Sequence, residues 1–429
     1  MSILRAMYSG TSGLGAEGQA LGVVGDNVAN SNTIGFKQSR ALFEDVLGSA
    51  VGTRGATGAG VRFARAQQIF AQGTLLNTGQ PTDMALSGDG FFVVKGSVDG
   101  IAGNFYTRAG QMTLRQDGTL VNPEGLALQG YAMMPNGQYA PSLSDITVPT
   151  GQIPPKPSAN LEVKANLDAS ATAPQLPWDP QNPAATSNFS TSMKVYDSLG
   201  NAHNVDLYYR KTGANTWEWH ALAAGGEVQG GQPNTNFEFA SGSLSYNPSG
   251  ALQSAQVLNG GAVSFIGAQP NQPFTFNFGT PIASGGTGLD GITQFGSPSN
   301  VSAQSQDGYA SGALSGVKVD SDGVVRGIYT NGEQLPVAKL ALAKFRSNDG
   351  LGRAGKNMWM QTQESGEPAI GEAGAGGRGA VVGGALEQSN VDISQQFVEL
   401  ISHQRAFQAN SKTITTADEM LQEVVNLKR

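Results

Sequence analysis

The stretch ISQQFVELISHQRAFQANSKTITTADEMLQEVV, residues 393–425, decides how this chain is read. Within it Ile393, Leu400, Phe407, Ile414 and Leu421 recur at every seventh position, with Phe397 and Val425 widening the stripe. A strict seven is the period of helices that wind around other helices, not of helices seated on a core. Ser389, Asn390 and Asp392 offer N-cap oxygens just before the pattern, and Lys428 and Arg429 suit the negative end of a helix dipole. The spacing predicts a helix over about 390–427. Its intervening positions Gln404, Ser411 and Asp418 are polar. That narrow seam fits packing against several neighbours better than one tight dimer.

The same period appears at the other end, in Met7, Leu14, Leu21 and Val28. A second helix is expected over about 2–32, supported by Ile3, Leu4 and Val24 and halted by Asn27, Asn30, Asn32 and Gly35, residues that accept left-handed angles. Gly10, Gly13, Gly15, Gly18, Gly22 and Gly25 lie inside it. Each glycine costs about 1 kcal/mol relative to alanine, so together they cost about 5 kcal/mol. A lone amphipathic stripe in water does not offset that. The helix is therefore expected to be loose in the monomer and to order against partners. The spacing also fits two helices that pack only on each other within one subunit; the glycine load favours packing between subunits.

Between these ends the chain reads as β structure. Seven Asp-Gly pairs, beginning at Asp89, Asp99, Asp117, Asp290, Asp307, Asp322 and Asp349, and three Asn-Gly pairs, at Asn136, Asn259 and Asn331, mark hairpin turns. Alternating stretches place Val205, Leu207 and Tyr209 on one face, then Trp217, Trp219 and Ala221, then Phe274, Phe276 and Phe278. A run rich in Pro, Asn, Ala and Ser at 149–187, and a second composition shift near 279–303, bound an inserted domain. The expected organisation is a helical core domain from 1–33 and 385–429, linkers at 34–72 and 366–384, an inner β domain from 73–148 and 304–365, and an outer β domain at 149–303. Glycine-rich runs at 48–60 and 371–384 are expected to be flexible or irregular connectors.

Composition narrows the function. The 429 residues allow two to four domains by the usual domain size. A net charge of −7, with no Lys/Arg cluster, gives no attraction to nucleic acid or to an acidic membrane surface. Cysteine is absent, which removes disulfides, thiolate nucleophiles and cysteine metal sites. The start MSILRAMYSG lacks the basic and apolar regions of a cleaved signal peptide, and no run is long enough to span a bilayer. GTSGLG at 10–15 has neither the order nor the preceding strand of a dinucleotide loop. The three histidines, His203, His220 and His403, have no partner at metal spacing, and Asp320 and Asp322 fit a hairpin turn better than a calcium loop. No catalytic residue, metal ligand or cofactor is assigned. A polysaccharide-cleaving enzyme would need paired carboxylates beside aromatic platforms; Trp217 and Trp219 are available, but no such pair is.

Four blocks carry a resemblance. They are Asn27-Val-Ala-Asn30-Ser-Asn32-Thr-Ile-Gly35-Phe36-Lys37; Gly73-Thr-Leu leading through Thr78 to Asp83-Met-Ala-Leu-Ser-Gly88-Asp-Gly90-Phe91-Phe92; YTRAGQMTLRQDGTLVNPEGLALQGY at 106–131; and GALEQSNVDISQQFVELISHQRAFQANSKTITTADEMLQEVV at 384–425. In these the chain resembles the axial proteins of the bacterial flagellum, the rod and hook family. VYDSLGNAHNVDLYY at 195–209 and the chain length point to the hook members; a distal rod or hook–filament junction protein is the alternative. The resemblance implies a mainly β body, with one β domain inserted in another, and a coiled-coil-like inner layer of terminal helices. It implies a hollow helical homopolymer that passes torque from rod to filament while bending. Rod proteins, junction proteins, a hook cap and the flagellar type III export apparatus are the implied partners. The place is the extracellular hook on the basal body, reached without a cleaved signal.

Overall fold

The computed structural model describes residues 2–47 and 58–426. Strands dominate, and one long helix stands at each end: α1, Ser2–Ala29, and α2, Ile393–Asn426. Most of the expected connector at 48–60 lies outside the described residues. Asp392 is the cap chosen for α2, its Oδ1 accepting from the backbone N–H groups of Ser394 (2.8 Å) and Gln395 (3.2 Å). This satisfies donors that the first helical turn leaves open. The end of α1 differs from expectation. Among its four proposed stop residues only Gly35 takes a left-handed angle, φ +70°, while Asn27 sits inside the helix and is fully buried.

The chain forms two compact units. The first comprises Met1–Thr150, Ser315–Ile328 and Gln334–Arg429. Its main sheet runs in the order 314–319, 324–329, 334–344, 127–132, 91–98, 101–107, 358–360, 352–355. The turn between 91–98 and 101–107 is Asp99-Gly100, both with positive φ, the arrangement that matches strand twist in a two-residue hairpin. Aromatic edges fill one side. Phe91 lies 5.5 Å from Trp359 and 5.9 Å from Phe345, and Tyr106 meets Phe345 at 4.7 Å.

The described parts of both segments expected as linkers contain paired strands. Strands β1, Ser39–Leu47, and β2, Gly58–Gln68, form an antiparallel hairpin from Ser39↔Gln68 to Leu47↔Gly58. Phe70 just beyond it packs on Trp359 at 5.5 Å, and the Trp359 indole N–H donates to Gln68. At the far side, Ala369–Glu372 pairs with 334–344, and Ala380–Gly383 pairs with Met84–Ser87. The glycines there supply turns, not slack: Gly374, Gly376 and Gly377 all take positive φ between the two strands.

The second unit comprises Gly151–Leu314 and Tyr329–Glu333. Residues 304–314, expected in the interrupted domain, belong here, because Asn300–Gln306 pairs antiparallel with Asn160–Asp168. A five-stranded antiparallel meander (189–196, 202–213, 216–224, 236–246, 252–260) and a four-stranded sheet centred on Asn160–Asp168 share one core. Val205, Leu207, Tyr209, Trp217, Trp219 and Ala221 are each fully buried in it, so the alternation read from sequence marks the inner face. The Asp-Gly signal divides. Asp99, Asp117, Asp322, Asn136 and Asn331 make turns between strands, whereas Asp307 turns its carboxylate inward to the backbone N–H groups of Ala159 (2.8 Å) and Asn160 (2.9 Å).

Candidate assembly interface

Helices α1 and α2 run antiparallel in the first unit. Gly10 faces Ile414, Gly13 faces Asn410, Glu17 Oε2 lies 2.6 Å from His403 Nδ1, and the Asn27 amide donates to Gln396 Oε1 at 2.9 Å. Two of the glycines lie at the close approach. A Cβ on Gly10 would stand 2.9 Å from an Ile414 carbon, and one on Gly13 would stand 2.6 Å from the Asn410 amide nitrogen. The seam on α1 is therefore made of small residues: Gly10, Gly13, Ala16, Ala20, Val24 and Asn27 are all buried. Residues of β2 cover another side of α1, where the Val61 N–H donates to Ser12 Oγ at 3.2 Å.

The residues proposed from the seven-spacing divide into two groups. Met7, Leu14, Leu21 and Val28 flank the α1 seam, each half-buried. On α2, Leu400, Ile414 and Leu421 are half-buried as well. Ile393, Phe397 and Phe407 are exposed, at 45%, 50% and 39%. The proposed intervening positions Gln404, Ser411 and Asp418 point to solvent. The α2 seam is completed on its other side by Gln396, His403, Asn410 and Ala417. These four also recur at every seventh residue, a signal hidden by the polar character of three of them.

The block at 27–37 is a clasp that ties the start of the chain to its end. Asn27 donates to Ser39 O (2.7 Å) and accepts from Ser39 N (2.8 Å), as well as reaching Gln396. Asn30 closes the helix on Asp26, donating to its carbonyl at 2.9 Å. Asn32 is exposed, and Phe36 is buried. The Gly35 N–H donates to Glu387 O at 2.7 Å, and a Cβ there would stand 2.5 Å from the Ala109 nitrogen. Lys37 Nζ lies 2.6 Å from Glu387 Oε1 and 2.7 Å from Ala71 O. Arg108 reaches the other oxygen of Glu387 at 3.3 Å and covers the Phe91 ring. Lys37 and Glu387 are wholly buried. Burial pushes the Lys37 ammonium and the Arg108 guanidinium below their ordinary ranges, and Glu387 only partly counters this for each. Asn390, offered by the sequence as an N-cap, instead accepts from the Gln38 N–H at 2.8 Å. Sequence reading quoted the blocks that hold Arg108 (106–131) and Glu387 (384–425) but did not pair them with 27–37.

This geometry joins chain segments and leaves apolar helix faces open. Among the described residues, no group of three or more His, Asp or Glu could hold a metal ion, and no helix is long and apolar enough to cross a membrane. Each histidine meets a carboxylate: His203 sits between Glu227 and Asp197, His220 on Glu238, and His403 on Glu17.

Comparison with known proteins places the same segments. The model described as flagella basal body rod protein matches residues 7–37, and the flagellar hook protein FlgE/F/G D1 domain matches 85–166. The flagellar basal body protein FlaE D2 domain matches 166–309, and the flagellar basal body rod FlgEFG protein C-terminal model matches 382–427. The flagellar hook protein FlgE of Escherichia coli is 35% identical, with 99% of this chain and 100% of that protein covered. That of Borreliella burgdorferi is 35% identical at the same coverage, and that of Treponema pallidum is 34% identical over the whole of both chains. The crystal structure of Helicobacter pylori flagellar hook protein FlgE2 shares the fold, with a TM-score of 0.50 and 15% identity over 71% of this chain and 98% of that one. Matched end to end by such relatives, the chain belongs to the flagellar hook protein family, as a structural subunit of the hook.

Proposed function

We propose that copies of this chain pack side by side through α1 and α2 into the wall of a hollow, bending tube that carries torque from rod to filament. The observation that carries this is the unfinished state of the helix pair. The two helices satisfy each other along one seam, yet Leu4, Tyr8, Ile393, Phe397, Val398 and Phe407 stand 39% to 72% exposed around it. Heptad spacing with apolar residues on outward faces needs further helices to cover it. Few charges in the chain, 14% of residues, suit contacts that are remade as the tube bends, since strong ion pairs would favour one register.

Rod and hook–filament junction proteins at the two ends, a hook cap, and export through the flagellar apparatus without a cleaved signal belong to the same reading. The test is electron microscopy of polymer grown from the purified full chain. Curved, pliable, hollow tubes support the reading. Straight tubes would assign the chain a rod-like part, and the absence of any polymer would overturn it.

A further inference from the structure

Among the described residues, nothing covers two faces of the terminal helices. On α2, Ile393, Phe397, Val398 and Ile401 are 45% to 68% exposed. They leave on the order of 400 Å² of apolar surface bare, within the range of the largest patch on a typical monomer and a size that marks contact surfaces. Beyond Ile401 the outer face turns polar, at Gln404, Gln408 and Ser411. On α1, Gly15, Gly18, Gly22 and Gly25 follow one another at steps of three and four, in line with the exposed Leu4 and Tyr8. At all four glycines an added Cβ would meet nothing within 4 Å. Nothing among the described residues requires glycine there, although each lowers helix stability relative to alanine. Gly10 and Gly13 differ, having Ile414 and Asn410 against them.

The two faces match in height. Glu17 is level with His403 and Asn27 with Gln396, so residues 397–401 stand level with the turn at 22–25. A second copy set alongside, with little axial shift, lays Phe397 and Ile401 across Gly22 and Gly25. The missing side chains there let the helix axes close. We propose that the Phe397–Ile401 face of α2 is covered by the glycine-lined face of α1 from a neighbouring copy. The contact extends the α1–α2 seam that each chain already contains. It is heterologous, since each copy keeps one free face of each kind, and so it propagates instead of closing a dimer. Its area is about half of the 800 Å² per partner that a standard stable interface buries, so one such contact is weak and many in series are needed. This inference rests on the assembly reading and names the partner surface within it.

The absence of cysteine makes the test clean. Gly22→Cys and Phe397→Cys are introduced into separate full-length chains, which are mixed, polymerised and oxidised. A disulfide joining one copy of each kind is expected in the polymer and not in the unassembled fraction. Polymer without that disulfide overturns this inference and leaves the assembly reading intact, whereas failure of the unsubstituted chain to polymerise sinks both. A second arm uses G18A/G22A. Helix content of the monomer should rise, while the critical concentration for assembly rises about tenfold or more, as overpacking a close contact requires. An unchanged or lower critical concentration overturns the inference.

Discussion

Replacing Glu387 by leucine tests the clasp with a predictable magnitude. The carboxylate is wholly buried, accepts from Lys37 at 2.6 Å and from the Gly73 N–H at 2.9 Å, and faces Arg108 at 3.3 Å. Two buried cations, Lys37 and Arg108, face this one carboxylate, so the site is short of negative charge. Removing that charge leaves two buried cations uncompensated, at a cost of about 3–5 kcal/mol, with about 1 kcal/mol more for the Gly73 donor. Arg108→Met should cost less, because one balanced pair, Lys37 with Glu387, survives. Native-state hydrogen exchange read peptide by peptide measures this. Glu387→Leu should lower the opening free energy of 91–107 and 334–345 by the full amount and leave 205–223, in the second unit, unchanged. A loss under about 1 kcal/mol, or Arg108→Met costing more than Glu387→Leu, would refute the charge argument.

Other consequences are testable in the same way. Gly35→Ala forces a side chain into a left-handed angle with the Ala109 nitrogen 2.5 Å away, and should cost the first unit about 2 kcal/mol or more in urea unfolding. Trp219→Ala empties the centre of the second unit's core and should cost about 3–5 kcal/mol there, measured as loss of exchange protection in 205–223. Burial works to raise the Asp307 carboxyl, but the Asn160 and Ala159 backbone donors, with Lys156, outweigh it and hold the group at about 2. A carboxyl depressed in the folded state contributes stability that is complete above its ordinary value of 3.8 and is lost as pH falls through about 2. Asp307→Asn should therefore flatten the acid limb of the second unit's stability curve over that window, and an unaltered limb would count against the assignment.

The parts of the fold visible in the sequence are those written in local periodicity. Seven-residue spacing marked α1 and α2, and alternation at Val205, Leu207 and Tyr209 marked the face that is buried. The seam was half legible. Gln396, His403 and Asn410 keep the period, but polar side chains read as surface until their partners Asn27, Glu17 and Gly13 are brought alongside. The clasp was visible only as separate blocks, at 27–37, 106–131 and 384–425, with nothing to join them. Its energetics depend on Glu387, 350 residues from Lys37, and no local pattern carries a separation of that length. Glycine composition misled at 371–384, where a demand for left-handed turn residues between paired strands looks the same as a flexible connector.

The most direct test of the central claim is the critical concentration for polymerisation of Phe397→Asp. Phe397 is half exposed and belongs to no core among the described residues, so the monomer should keep its circular dichroism spectrum and exchange protection. If outward helix faces hold the copies together, the critical concentration should rise about a hundredfold or more, the loss expected when a charge replaces a buried aromatic anchor. Tubes that form at the unsubstituted concentration, from a variant whose monomer is unaltered, would contradict the account.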